Sequence, residues 1–209
     1  MLGKIVWGLA GIAVVTAVAG TLWVTRSVET PDYTLDLSDG AFELRRYPAL
    51  VVASVHRTGA RDTAVRAAFG PLAGYIFAKE RGGEKIAMTA PVTQVAPDAK
   101  IAMTAPVTQE PARDGWTVSF IMPAGLALDD LPAPARDVQL AEIPPRRMAA
   151  LRFSGRWSDA NFKAATKRLM AWVEERGLTP VGPVEYAYYN DPFTPPFLRR
   201  NEVMIEVGG

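Results

Sequence analysis

The sequence predicts an α+β domain in which antiparallel strands carry two flanking α-helices, preceded by one hydrophobic N-terminal helix. Three observations carry this. Two stretches, one starting at Arg61 and one at Ser158, hold apolar residues at three-to-four-residue spacing over the length of a helix. The other apolar runs are short and bounded by Pro, Gly or charged residues, as strands are. The same elements also recur at an offset of 96 positions, so that Phe42 falls on Val138 and Gly59 on Gly155.

In chain order the first element is an uncharged run of 20 residues at positions 5–24. At about 1.5 Å per residue it reaches across a hydrocarbon core of about 30 Å. Lys4 and Arg26 bracket it, and Trp7 and Trp23 stand at its ends, where a membrane interface places aromatic rings. Residues 1–26 are therefore expected to be a transmembrane anchor. The alternative is a signal segment cleaved near Ala19, because Ala17-Val18-Ala19 fits a cleavage site. The free N-terminus and Lys4 favour a domain that faces the periplasm or cell exterior.

Residues 27–209 are expected to form one domain. Strands are predicted at 51–55, 117–121, 148–153 and 203–207. The first helix spans 61–78 with Val65, Phe69, Leu72 and Ile76 as its stripe, and Gly70-Pro71 must kink or restart it. The second has Ser158 as N-cap, Phe162, Ala165, Leu169, Trp172 and Val173 as its apolar face, and Gly177 as its stop. The offset divides the domain into halves at about 33–125 and 131–207, which predicts two strand-strand-helix units related by a pseudo-twofold repeat. A literal duplication is superimposed: KIAMTAPVTQ occupies 85–94 and again 100–109. The second copy adjoins the strand that follows and is expected to fill the place in the core, leaving one copy dispensable.

Composition narrows the function. Lys and Arg total 23 against 22 Asp and Glu, so no electrostatic footprint for nucleic acid exists. With 0 Cys, thiolate metal sites, thiol nucleophiles and covalent haem attachment are excluded. With 1 His, any multi-histidine site is excluded too. Glu43, Glu185 and Glu202 are available as bases, but their spacing forms no acid/base pair, and no catalytic residue is assigned. Binding fits better than catalysis.

The block KIAMTAPVTQ followed by WTVSFIMP (116–123) resembles the central signature of the SOUL haem-binding proteins, here of a bacterial member. The stretch YNDPFTPPFLRRNEV (189–203) resembles the family's last turn and strand, and LPAPARDV (131–138) also fits. The resemblance covers about 33–207 and implies a twisted antiparallel barrel flanked by two helices. It implies non-covalent binding of haem or a related porphyrin in a cleft along the first helix, with basic residues on the propionates. The architecture also resembles effector-binding domains of bacterial multidrug regulators, which makes a module for other amphipathic small molecules the main rival. An enzyme acting on such ligands is the third reading.

A porphyrin needs an apolar wall and a cation at its edge. Val65, Phe69, Leu72 and Ala73 supply the wall and Arg66 the cation, although the same spacing also suits plain core packing. Arg66 matches one basic position of the family pattern. A second, a Lys, falls on Gly74, while Tyr75 is retained. His56, the only imidazole, is the candidate axial ligand to iron, the alternative being a hydrogen-bonded histidine at a strand end. Arg199-Arg200 is a further candidate for propionate contact, the favoured alternative being a charged turn held by Glu202 or Asp191. The methionines read as core fillers.

Overall fold

The computed structural model describes residues 28–79, 83–96, 115–134 and 137–208. The expected N-terminal helix and the second decapeptide copy lie outside them. Among the described residues no helix is long and apolar enough to cross a membrane.

One sheet contains β1 (Thr34–Asp39), β2 (Phe42–Tyr47), β3 (Leu50–Arg57), β4 (Val92–Val95), β5 (Trp116–Ile121), β6 (Gln139–Ile143), β7 (Arg146–Phe153), β8 (Thr179–Tyr188) and β9 (Asn201–Gly208). Helix α1 (Arg61–Ile76) follows β3, and helix α2 (Asp159–Glu175) follows β7. The strands lie in the order β1-β2-β7-β9-β8-β4-β5-β3-β6, with antiparallel pairing throughout. β3 and β7 span positions 96 residues apart, β2 pairs with β7 and β6 pairs with β3.

The expected barrel is not closed. β1 and β6 end the sheet and do not pair with each other, so the sheet is open. Every residue of β1 is exposed, and its Asp36 is covered by Arg46 and Arg147, a charged edge of the kind that blocks further pairing.

Both helices pack on one face. α2 behaves as the sequence predicts: Ser158 caps it by accepting from the Asn161 N–H at 3.3 Å, and Phe162, Ala165, Leu169, Trp172 and Val173 are buried. Gly177 ends it at φ 64°, a conformation that favours glycine. α1 runs through Gly70-Pro71 as one helix. Its buried face is Arg61, Ala64, Ala68, Leu72, Tyr75 and Ile76, rotated from the expected stripe so that Phe69 is 43% exposed. Two alanines compete with Val65 and Phe69 for the same period, and their small side chains let the helix approach β3 and β5 closely.

The decapeptide supplies β4, but through its first copy. Val92–Val95 sits between β5 and β8, and Val95, opposite Thr117, is 5% exposed. The residue after the second copy is Glu110. A carboxylate at that buried rung would be costly without a partner, which corrects the expectation for the second copy.

The face without helices is also buried, in a cluster of Tyr47, Met148, Ala150, Ala187 and Met204 against which Tyr33 packs. Its centre is ionic. Arg45 donates to Glu202 through both terminal nitrogens, at 2.6 and 3.0 Å, and both side chains are essentially inaccessible. Glu202 also accepts from Arg200 at 2.7 Å and from the Tyr189 hydroxyl at 2.8 Å. Burial pushes the Glu202 carboxyl up, but the hydrogen bond and charge of Arg45, with Arg200, outweigh it and hold the group below its ordinary 4.5.

Two predictions follow from this packing. A carboxyl held below its unfolded value contributes stability that is complete above about pH 4.5 and is lost as pH falls through the folded value. Glu202→Gln should therefore lower stability by about 3 kcal/mol at pH 7, since Arg45 stays buried with half its pairing gone. It should also flatten the acid limb of a denaturation series run from pH 6 to 3. Deleting residues 96–110 removes the second decapeptide copy and keeps Val95. Shortening that connection about fourfold changes loop entropy by about 1.2 kcal/mol, so Tm should move by no more than about 5 °C in a calorimetric scan.

Candidate functional site

The position of α1 is set at its first residue. Ala60 offers no side-chain cap, and Arg61 instead turns inward. Its guanidinium donates to Asp159 at 2.6 Å, to the Tyr188 hydroxyl at 2.5 Å and to the Trp157 carbonyl at 2.7 Å, and lies 4.8 Å over the Phe162 ring. The Tyr188 hydroxyl, its pKa pushed up to about 12 by burial against the lowering effect of Arg61, stays protonated and donates to Gln94 Oε1 at 2.9 Å. Gln94 Nε2 returns a bond to the Arg61 carbonyl. One cation thus ties α1 to α2, β8 and β4.

With the helix so fixed, the predicted wall residues separate. Val65, Phe69 and Ala73 follow one another at four-residue steps along one flank of α1. Val65 touches the hydrophobic clusters beneath both helices, so this flank looks toward α2. Phe69 packs edge-on against Phe120 at 5.4 Å and leaves much of its ring accessible. The aromatic cluster continues across the sheet in Trp116 and Tyr186, 5.9 Å apart, and runs inward to the buried Phe162 of α2, 4.7 Å from Tyr186. Arg66 stands next to this flank in solvent, its side chain 80% exposed and weakly paired with Asp62 at 3.5 Å.

Leu72 and Tyr75 are elsewhere. Leu72 is sealed against the sheet, and Tyr75 points to the other flank, donating to the Pro132 carbonyl at 2.9 Å. Near that carbonyl is an open groove of about 410 Å³ lined by Ile86, Ala87, Leu126, Leu131 and Pro132, with Lys85, Glu84 and Asp130 at its rim.

His56 is not brought to either place. Val51 and Ala53 and Val55 of β3 pack toward α1, and the alternation of a strand directs His56 to the opposite face. Its ring is exposed and approaches Gly115, whose φ of 128° only glycine adopts readily and where a Cβ would lie 2.9 Å from Nε2. The residues on the α1 flank thus fit the organic part of a haem, apolar faces and one carboxylate, and offer the iron no imidazole.

The inner face gives no comparable space. Its cavity, lined by Pro31, Tyr47, Thr93, Arg146 and Met204 among others, measures about 20 Å³, far below the roughly 300 Å³ of a small-molecule site. The carboxylates considered as bases are all held by arginine: Glu43 by Arg45, Glu185 by Arg146 and Glu202 by Arg45 and Arg200. Arg199 and Arg200 are likewise engaged internally, over Trp157 at 4.2 Å and over Tyr189 at 3.9 Å. The Arg61 network escaped sequence reading. The signal for it was an arginine in register with Ala64, Ala68, Leu72 and Tyr75, a cation on a buried face.

Comparison with known proteins agrees with this architecture. The chain resembles the C-terminal domain of EcmrR, with a TM-score of 0.58 at 16% identity, over 84% of this chain and 98% of that one. A structure described as a hydrolase from Listeria innocua matches with a TM-score of 0.53 at 14% identity, over 83% and 94% of the two chains. At such identities the likeness is one of fold. No curated protein matches the sequence. The model of the SOUL heme-binding proteins matches residues 28–206, from the start of the described domain into β9, and the chain therefore belongs to the SOUL haem-binding family.

Proposed function

We propose that this chain binds haem or a related tetrapyrrole non-covalently on the flank of α1 that faces α2, and that it carries or buffers the ligand rather than transforming it. One porphyrin face would lie on Val65, Phe69 and Ala73, and Arg66 would reach a propionate. The observation that supports this most directly is Phe69: a large aromatic side chain left 43% exposed on a rigid helix, beside an unburied guanidinium. Leu72 and Tyr75 would support the wall from beneath. When bound, the haem would supply any redox chemistry, while this chain's residues would bind and orient it.

Residues 5–24 would hold the domain at the outer side of a membrane, facing the periplasm or exterior, or be removed near Ala19 in a secreted form. The engagement of Glu43, Glu185 and Glu202 by arginine supports a binding role over an enzymatic one, and Glu202, which Arg45 and Arg200 hold below the ordinary carboxylate value, is a poor proton acceptor.

A second reading has its own observation. The open groove beyond the C-terminal end of α1 combines an apolar lining with the carboxylates of Glu84 and Asp130, which suits an amphipathic cation better than a dianionic porphyrin. Competition separates the two: a lipophilic quaternary cation should not displace hemin if the ligand lies on the Phe69 flank.

In a hemin titration of the fragment 28–209 followed at the Soret band, binding should be saturable at one equivalent. Phe69→Asp should weaken it about tenfold or more, the effect of losing roughly 1.4 kcal/mol or more of apolar contact. Arg66→Glu should weaken it by about threefold to tenfold, more at low salt, as befits an exposed charge. His56→Ala should leave both affinity and band position unchanged. A band shift in that variant would show that iron is reached from the other face of the sheet.

A further inference from the structure

The β8–β9 loop presents apolar side chains that the domain does not use. Phe193 is 93% exposed and Phe197 75%, the highest values for any large hydrophobic side chain among the described residues, and Leu198 beside them is 53% exposed. These side chains are held outward. Asp191 accepts from the N–H groups of Phe193 and Thr194 at 2.7 and 3.0 Å and from the Thr194 hydroxyl at 3.0 Å. Arg199, stacked on Trp157, donates to the carbonyls of Thr194 and Pro192 at 2.7 and 2.8 Å. The Pro196 carbonyl accepts from Gly155 at 2.9 Å, and Pro192, Pro195 and Pro196 restrict the backbone further. A loop locked by its own polar groups cannot fold the two rings away from water.

The loop also lies at a particular end of the sheet. β8 enters it just after Tyr188, which pairs with Val92, and β9 leaves it at Asn201, which pairs with Tyr188. The first described residues are at that same end: Glu29 bridges Thr89, three positions before Val92, and accepts from the Ala124 N–H, three positions beyond the end of β5. The domain therefore joins residues 5–24 at the end from which Phe193, Phe197 and Leu198 project.

We propose that residues 191–199 form a membrane-docking wedge that seats Phe193, Phe197 and Leu198 in the interfacial layer of the bilayer to which the chain is tethered. This rests on the reading of residues 5–24 as a membrane segment. Its occupant is lipid rather than a small molecule because the rings protrude from a turn instead of lining a cleft. It is the near bilayer because the tether and the rings share one end of the sheet. Docking would hold the domain in one orientation, and amphipathic rings or apolar side chains at the headgroup boundary are the usual means of doing so.

The full chain contains no Cys, so single labels can be placed cleanly. Phe193→Cys, Phe197→Cys and, at the other end of β8, Val181→Cys would each be labelled with an environment-sensitive dye and reconstituted into phosphatidylcholine–phosphatidylglycerol vesicles. Labels at 193 and 197 should be quenched several-fold more by nitroxide-bearing acyl chains than the label at 181, and should be shielded from iodide. Equal iodide quenching at all three sites, in chain that stays with the vesicles through a carbonate wash, would overturn the wedge alone. Release of the chain by carbonate would overturn the tether and the wedge with it. Hemin titration of the same preparations reports separately on the ligand site.

Discussion

The buried guanidinium of Arg61 is the interaction on which the arrangement of the domain turns. It is the first residue of α1, yet it bonds to the start of α2, to the Trp157 carbonyl before it and to the Tyr188 hydroxyl at the end of β8. A guanidinium suits this place because its planar fork serves several acceptors at once and keeps its charge at any physiological pH. Asp159 supplies one balancing charge at the exposed side, and the phenol and carbonyl satisfy the remainder without adding a second buried carboxylate. Because Tyr188 and Gln94 complete the ring of bonds back to the Arg61 carbonyl, the azimuth of α1 is fixed as well as its position.

That azimuth has a consequence for the ligand surface. The buried face of α1 consists of Arg61 and two alanines before it reaches Leu72, so the helix sits low on β3 and β5 and its larger residues Val65 and Phe69 are displaced to the flank. Had the helix been oriented by its largest apolar residues, Phe69 would have been core and no aromatic surface would remain between the helices.

The opposite face of the sheet follows another principle. There the charges are used up in pairs, Arg45 with Glu202 and Arg146 with Glu185, under a covering of tyrosines and methionines. Such pairs hold geometry more than they add net stability, since desolvation offsets much of their attraction. The result is a filled interior with a cavity of only about 20 Å³, while accessible apolar surface is found on the α1 flank, in the groove beyond its C-terminal end and on the β8–β9 loop.

By itself the sequence determined the α+β class, the limits and buried face of α2, the strands β3, β5, β7 and β9 and the family, because each rests on local pattern: a cap at Ser158, a period of 3.6 through Phe162 to Val173, short runs ended by Pro or Gly, and decapeptide chemistry. It also determined the candidate wall on α1 as a set of residues. What tertiary structure decided was which of them face outward. Periodicity locates a stripe but cannot choose between Ala64-Ala68 and Val65-Phe69, since that depends on how closely the helix can approach the sheet. The same holds for His56, whose face is set by strand alternation relative to Ala53 and Val55, and for the first decapeptide copy, chosen by Val95 at a buried rung. Closure of the sheet was likewise undecided locally, because whether β1 and β6 meet depends on the twist and order of all the strands between them.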